Sequence, residues 1–267
     1  MRVAVLGTGN MGKAILGGLQ RTYGSEVSLL AHDVSAEALA GVPEGVETAP
    51  VGSWFTGKDL PDAVVVAVKP DVVSKALNAI PSTARKASEV LWCSVAAGTT
   101  LSVLEKTLGS SCKICRVMPN APALVGEGMS VFALNDRCTE RDAETARKIF
   151  GACGKVLQAP EKLMDAVTGL SGSGPAYVYL FVEALIEGGV AAGLPYATAR
   201  EAAIQTVRGA ASMMEQTGES PAQLKARVMS PGGTTVRGLA ALEERGFKYA
   251  VIKAVAEATR RAGELTK

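Results

Sequence analysis

The sequence predicts an α/β fold: an N-terminal dinucleotide-binding domain built on a mostly parallel sheet, followed by an all-helical C-terminal domain. Three observations carry this. Apolar strand candidates alternate with helical patterns through residues 1–159, and the strand signal then stops, leaving helical patterns alone over 160–267. A glycine turn, Gly7-Thr8-Gly9-Asn10-Met11-Gly12, directly follows the first apolar run and opens a helical pattern.

Taken in order, the strand candidates are Arg2 to Leu6, Val27 to Ala31, Ala63 to Val68, Val90 to Ser94, Lys113 to Val117, Met129 to Leu134 and Lys155 to Gln158. Runs such as Val64-Val65-Val66-Ala67-Val68 are apolar at every position, as in strands buried on both faces of a parallel sheet. Between them lie helical patterns at Met11 to Arg21, Ser35 to Ala40, Asp71 to Ala79, Leu101 to Leu108 and Glu140 to Phe150. Beyond Ala159 helices are expected at Lys162 to Thr168, Gly174 to Ala192, Tyr196 to Gln216, Pro221 to Val228, Thr234 to Glu244 and Phe247 to Ala262. Turn residues at Gly172, Gly174, Gly193, Pro195, Gly218 and Pro231 to Gly233 punctuate them. The segment Gly174 to Gly193 is apolar all round, which requires burial on every side. About 100 residues of helix cannot enclose it unaided, so an obligate homodimer with interleaved helical domains is expected.

Composition removes several function classes. Across 267 residues, 28 Lys and Arg stand against 26 Asp and Glu, a net charge of +2, with no basic run to follow a phosphate backbone. Nucleic acid is not an expected partner. The Gly174 to Gly193 segment carries Glu183 and Glu187 and several glycines, a poor membrane span. The first residues run straight into a strand rather than a signal peptide, so a cytoplasmic protein is expected. Five scattered cysteines suit reduced thiols. Cys112 and Cys115 form a Cys-x-x-Cys with no second pair, and the single histidine, His32, is far away; no metal site is expected.

The N-terminal turn has the full context of a dinucleotide site: strand before, helix after, and the acidic Asp33 at the end of the second strand candidate. Gly7 allows the tight turn, Gly9 lets backbone approach a pyrophosphate, and Gly12 allows close helix packing. This is a Rossmann domain, with Gly7, Thr8, Gly9, Asn10, Met11 and Gly12 at the cofactor. Asp33 can accept hydrogen bonds from a ribose diol and would repel a 2′-phosphate, which favours NADH over NADPH. His32, beside it, reads as a surface or adenosine-side residue.

A second turn, Ser230-Pro231-Gly232-Gly233-Thr234-Thr235, precedes the helical pattern Thr234 to Glu244. Free N–H groups at a helix start attract anions, so this turn could hold a substrate carboxylate. Ser, Thr, Pro and Gly are equally what an ordinary capped helix start needs, and the residues alone do not divide the two readings. Gly172-Ser173-Gly174-Pro175 reads more simply as a structural helix start.

Five motifs in order resemble the pyrroline-5-carboxylate reductase family: Ala67-Val68-Lys69-Pro70, Ser94-Val95-Ala96-Ala97-Gly98, Arg116-Val117-Met118-Pro119-Asn120-Ala121-Pro122, Val167 to Tyr177, and Leu224 to Gly246. The resemblance spans essentially the whole chain. It implies reduction of the cyclic imine 1-pyrroline-5-carboxylate to L-proline, the last step of proline biosynthesis, by hydride from NADPH or NADH. It implies a Rossmann domain with a helical dimerisation domain, often within a decamer. By that likeness Val68, Lys69 and Ala97 join the N-terminal turn around the cofactor, with Asn120 near its nicotinamide end. Ser230, Gly232, Gly233, Thr234 and Thr235 surround the imino acid, with Glu161 nearby, and Thr235 and Ser230 are the catalytic candidates. Members of that family often carry Asn followed by Arg or Ser where this chain has His32-Asp33, and Asn where it has Trp54; both changes fall around the adenosine half of the cofactor.

The residue inventory agrees with imine chemistry. Dehydrogenases acting on hydroxyls need a proton acceptor, commonly His or Lys, and no histidine is available to the helical half. An imine nitrogen arrives protonated, and its carbon accepts hydride without prior activation, so a hydroxyl near nitrogen suffices. A 3-hydroxyacid or phosphogluconate-type dehydrogenase would share Gly7 to Gly12 but rely on a lysine in its helical domain. A dinucleotide-responsive regulator would have no use for the second turn.

Overall fold

In this computed structural model, residues 1–56, 60–85 and 87–265 are described. The strands are β1 (Arg2–Leu6), β2 (Ser28–His32), β3 (Glu47–Thr48), β4 (Ala63–Val66), β5 (Leu91–Ser94), β6 (Lys113–Met118), β7 (Gly128–Leu134) and β8 (Gly154–Gln158). The helices are α1 (Asn10–Tyr23), α2 (Ala36–Ala40), α3 (Val73–Asn78), α4 (Ser82–Arg85), α5 (Leu101–Leu108), α6 (Glu140–Gly151), α7 (Met164–Val167), α8 (Gly174–Ala191), α9 (Tyr196–Thr217), α10 (Pro221–Arg227), α11 (Thr234–Glu244) and α12 (Phe247–Leu265). The described residues form two compact units: residues Met1–Ser173 with the chain from Ala256 on, and Gly174–Val255.

The first unit is an eight-stranded sheet of order β3-β2-β1-β4-β5-β6-β7-β8. Neighbours run parallel from β3 to β6, with Val3 beside both Leu29 and Ala63. Strand β7 is antiparallel to β6, and β8 is parallel to β7. The reason for the reversal is length: residues 119–127 are too few for a parallel crossover, which needs about a dozen or more. They turn back instead through a 3₁₀ segment, Ala121–Val125. Alternation along each strand fills both faces. Val3 and Val5 join Ile15, Leu19, Phe132 and Phe150 on one side; Ala4 and Leu6 join Trp54, Val64, Leu77 and Trp92 on the other.

Several boundaries differ from the sequence reading. Strand β4 stops at Val66 because the backbone of Ala67 turns to meet Gly7: a Cβ on Gly7 would lie 2.8 Å from the Ala67 carbonyl carbon and oxygen. The expected helix from Lys162 to Thr168 is a composite of a 3₁₀ turn (Glu161–Leu163), α7 and a π-helical turn (Thr168–Gly172). This composite packs on β7, where Met164 joins Val131 and Ala133 in a third apolar cluster. Residues 160–173 therefore pack with the sheet of the first unit.

The second unit is helical. Gly189 lets α8 approach α9, since a Cβ there would sit 3.1 Å from that of Ala199. Phe181 and Phe247 meet with ring centroids 5.7 Å apart, and the Tyr177 hydroxyl donates to the Ala254 carbonyl at 3.4 Å. Helix α8 has no buried residue within the single chain; Tyr179 and Leu180 are 63% and 66% exposed. No helix among the described residues is long and apolar enough to cross a membrane.

Candidate active site

Parallel strands deliver their following loops to one edge, and ligands of open α/β sheets bind outside those carboxyl ends. The loops after β1, β2, β4, β5 and β6 carry Gly7 to Gly12, Asp33, Val68 and Lys69, Ala97, and Asn120. The first three sets are in contact. Gly7 donates its N–H to the His32 carbonyl at 2.8 Å, and a Cβ on Gly7 would crowd the Val68 side chain at 2.9 Å. Asp33 Oδ2 accepts from the Thr8 N–H at 2.7 Å and its hydroxyl at 3.3 Å, while Oδ1 accepts from the Ser35 N–H at 2.9 Å. Burial pushes the Asp33 carboxyl up, but the N–H groups of Ser35 and Thr8 and the Thr8 hydroxyl outweigh it, holding the group below its ordinary value of 3.8.

The three glycines divide by cause. A Cβ on Gly12 would run into the Gly7 carbonyl oxygen, so Gly12 is required by packing. A Cβ on Gly9 would meet nothing within 4 Å. Gly9 also caps α1 without any side-chain hydrogen bond. Open space above free N–H groups at a helix start fits a pyrophosphate.

On the same edge of the sheet, Lys69 is exposed, and Ala97 is the exposed tip of a turn whose flanking Ala96 and Thr99 are buried. Asn120 spends its amide locally: Oδ1 accepts from the Met129 N–H at 2.8 Å, and Nδ2 donates to the Ser171 carbonyl of the π-helical turn at 3.0 Å. Trp54 is a core residue, 1% exposed, edge-on to His32 with centroids 6.4 Å apart; its indole N–H has no partner among the described residues.

In the helical unit, Ser230 to Gly233 form a β-turn, with the Gly233 N–H donating to the Ser230 carbonyl at 2.9 Å. Gly232 has φ +72°, and Pro231 precedes it, as a type II turn requires. Gly233 is the N-cap of α11, again without a side-chain cap. The Ser230 hydroxyl folds over it, where a Cβ on Gly233 would collide. Thr234 and Thr235 follow as the first helical residues, Thr235 half-buried. Two glycine-started helices without side-chain caps thus stand at the two turns singled out in the sequence. By contrast α5, α6 and α10 start with Thr100, Thr139 and Ser220, whose side chains serve as caps.

Glu161 lies in the first unit. Its Oε1 accepts from the Leu101 N–H at 2.7 Å, at the start of α5, and from Arg116 Nη1 at 3.1 Å; Arg116 Nη2 is 3.6 Å from Asp165. Arg116 is 5% exposed. Sequence reasoning missed this group, although a lone arginine in the apolar strand Ile114-Cys115-Arg116-Val117 was a signal, because a buried cation demands partners. The Cys-x-x-Cys is split: Cys112 belongs to one apolar cluster and Cys115 to the other. All five cysteines are free, and burial pushes the Cys112 thiol up. No metal-binding group occurs among the described residues.

Residues 161–265 match the family model described as pyrroline-5-carboxylate reductase dimerisation. A pyrroline-5-carboxylate reductase of Synechocystis is 41% identical, covering 100% of this chain and 99% of its own. The chain belongs to the pyrroline-5-carboxylate reductase family. The family's Escherichia coli member is 38% identical, over 100% of this chain and 98% of that one. Residues 2–98 also match the model described as NADP oxidoreductase, coenzyme F420-dependent. Among solved structures, the Plasmodium falciparum reductase with NADP bound superposes with a TM-score of 0.87 at 33% identity, covering 100% of this chain and 98% of that chain. The Coxiella burnetii reductase gives 0.92 at 33% identity, covering 99% and 98%.

Proposed function

We propose that each of the two uncapped glycine turns binds one anionic group of the reductase reaction, the N-terminal turn the dinucleotide and the turn at residues 230–235 the carboxylate of the imine. The reaction is that of the family: reduction of 1-pyrroline-5-carboxylate to L-proline with a reduced nicotinamide cofactor, the last step of proline biosynthesis. The observation that carries this assignment is that α1 and α11 both begin on glycine with no side-chain cap.

When bound, the nicotinamide supplies the hydride. Gly7 to Gly12 hold the pyrophosphate on the α1 N–H groups, with Val68, Lys69 and Ala97 beside it and Asn120 toward the nicotinamide. Gly232, Gly233, Thr234 and Thr235 receive the substrate carboxylate on the α11 N–H groups, whose partial positive charge favours an anion. Thr235 and Ser230 then place hydroxyls by the ring nitrogen, where Thr235 donates and accepts in the proton traffic that accompanies reduction. Holding the ring in one orientation supplies up to about 7–11 kcal/mol in favourable cases.

Asp33 supports a preference for NADH. Its carboxylate stays ionised, with acceptor capacity for a ribose diol and repulsion for a 2′-phosphate. The exposed apolar faces of α8, and the match to a dimerisation model, support an interleaved homodimer. Assembly of such dimers to a decamer follows the family likeness. Five free thiols fit the reducing cytoplasm.

The test is loss of reduced-nicotinamide absorbance when purified protein meets 1-pyrroline-5-carboxylate, run with NADH and NADPH in parallel. Oxidation in either arm is the expected outcome, faster at low concentration with NADH. Cofactor binding without oxidation in either arm would refute the reaction.

A further inference from the structure

Nothing in the chemistry above uses the charged group around Arg116, yet it ties together three chain segments at the carboxyl edge of the sheet. We propose that Glu161 is a positioning residue for the cofactor: oriented by the buried Arg116, it fixes the start of α5 and with it the turn that carries Ala97. The proposal rests on the reading of that edge as the nicotinamide cofactor site.

Helix α5 satisfies one of its initial donors locally, the Thr100 hydroxyl accepting from the Val103 N–H at 3.2 Å. The Leu101 N–H is met from outside by Glu161, sixty positions along the chain, at 2.7 Å. A carboxylate at a helix start is also favoured by the helix dipole. The same oxygen receives Arg116, which is buried in β6 and must be compensated where it stands. Asp165 takes the other arm of the guanidinium. The orientation of Glu161 is therefore set by a charge that cannot move, and the start of α5 by Glu161.

The turn before α5 has little slack elsewhere. The Val95 N–H is held by the Val66 carbonyl at 3.1 Å, and the Thr99 N–H by that of Ala96 at 3.3 Å. Gly98 sits at φ +74° beneath the end of α12, where a Cβ would be 3.1 Å from the Leu265 carbonyl oxygen. With Glu161 shortened, the α5 end of this turn loses its tie to β6 while the β5 end keeps its hold, and the exposed Ala97 between them gains room to shift. A contact of Glu161 with the imino acid is the competing role, and it predicts a different variable.

The experiment measures dissociation constants for NADH and NADPH by nicotinamide fluorescence on the full-length protein, and the KM for the imine alongside. E161D keeps the charge but withdraws the oxygen by one methylene; it should weaken both cofactors about fivefold or more and leave the imine KM unchanged. E161Q keeps an oxygen acceptor at the same reach but removes the charge that compensates Arg116, so its cofactor affinities should fall between those of wild type and E161D. R116K keeps the charge but loses the fork that spans both carboxylates, and carries the same expectation as E161D should that variant not fold. Unchanged cofactor affinity in E161D and R116K overturns the proposal, as does a change confined to the imine KM. Wild-type protein that bound both cofactors but reduced no imine would refute the reaction and leave the cofactor affinities to judge this proposal.

Discussion

Gly9 and Gly12 are both glycines of one turn, but replacing them should fail in opposite ways. Ala at position 12 would place its methyl against the Gly7 carbonyl oxygen, with the carbonyl carbon 3.1 Å away, so backbone must move. Overpacking of this kind costs about 1–3 kcal/mol or more. In a chain of this size that is a melting shift of about 2–4 °C per kcal/mol. Ala at position 9 meets nothing within 4 Å, and Gly9 already has φ −68° and ψ −169°, which any residue adopts. The stability cost of Gly9→Ala is then only the weaker capping of Ala, about 1 kcal/mol or less. Its methyl, however, occupies the space through which an anion reaches the α1 N–H groups. Losing one or two charge-assisted hydrogen bonds, each about 1.5–3 kcal/mol, raises the cofactor dissociation constant at least about tenfold. Thermal melts without ligand and fluorescence titration with NADH and NADPH separate the two effects. A Gly9→Ala protein with unchanged cofactor affinity, or one as unstable as Gly12→Ala, would refute the assignment of open space to the pyrophosphate.

Thr235→Ala should lower turnover at least tenfold, about 1.4 kcal/mol, with cofactor affinity intact; unchanged turnover removes the hydroxyl from the proton traffic. Asp33→Asn should narrow the preference for NADH over NADPH, read as the ratio of kcat/KM values, and a ratio left where it was would show that another residue chooses. Asp33 and Asp142 both have folded pKa values below the ordinary aspartate value, Asp142 through Thr139 and Lys113 after burial is outweighed. Their stabilisation is complete above the unfolded-state pKa and is lost as pH falls through the folded one, so acid unfolding should be shallower in Asp142→Asn between about pH 5 and pH 2. Leu180→Glu, on the 66% exposed face of α8, should abolish the dimer in light scattering; a stable dimer in that variant would place the interface elsewhere.

Legibility followed the length and regularity of each signal. Arg2–Leu6, Leu101–Leu108 and Thr234–Glu244 have the bounds read from the sequence, because each is an apolar run or period closed by turn chemistry. The two residues of β3 carry no period to read. The π-helical turn Thr168–Gly172 was invisible for a different reason. It depends on the Asn120 amide reaching the Ser171 carbonyl and on Gly172 yielding room to the Met118 methyl, both long-range facts. At the cofactor edge the glycine turn was legible as a motif, but the separate causes of Gly9 and Gly12 needed neighbours to tell them apart.

The same distinction explains what Glu161 looked like from sequence. It entered the reading only through the family likeness, as a residue near the imino acid, since exposed acids ordinarily need no internal partner. Here the internal partner was in view as Arg116, four apolar neighbours hiding its charge. An arginine in a strand buried on both faces costs several kcal/mol unless compensated, so a strand of that pattern requires acids within reach of its guanidinium. Glu161 and Asp165 meet that requirement, and the helix start at Leu101 takes advantage of the same oxygen. Imine reduction makes this economy workable: a substrate that arrives as an iminium needs to be oriented more than activated. The charged side chains around Arg116 can then hold turns in place without being needed to activate the imine.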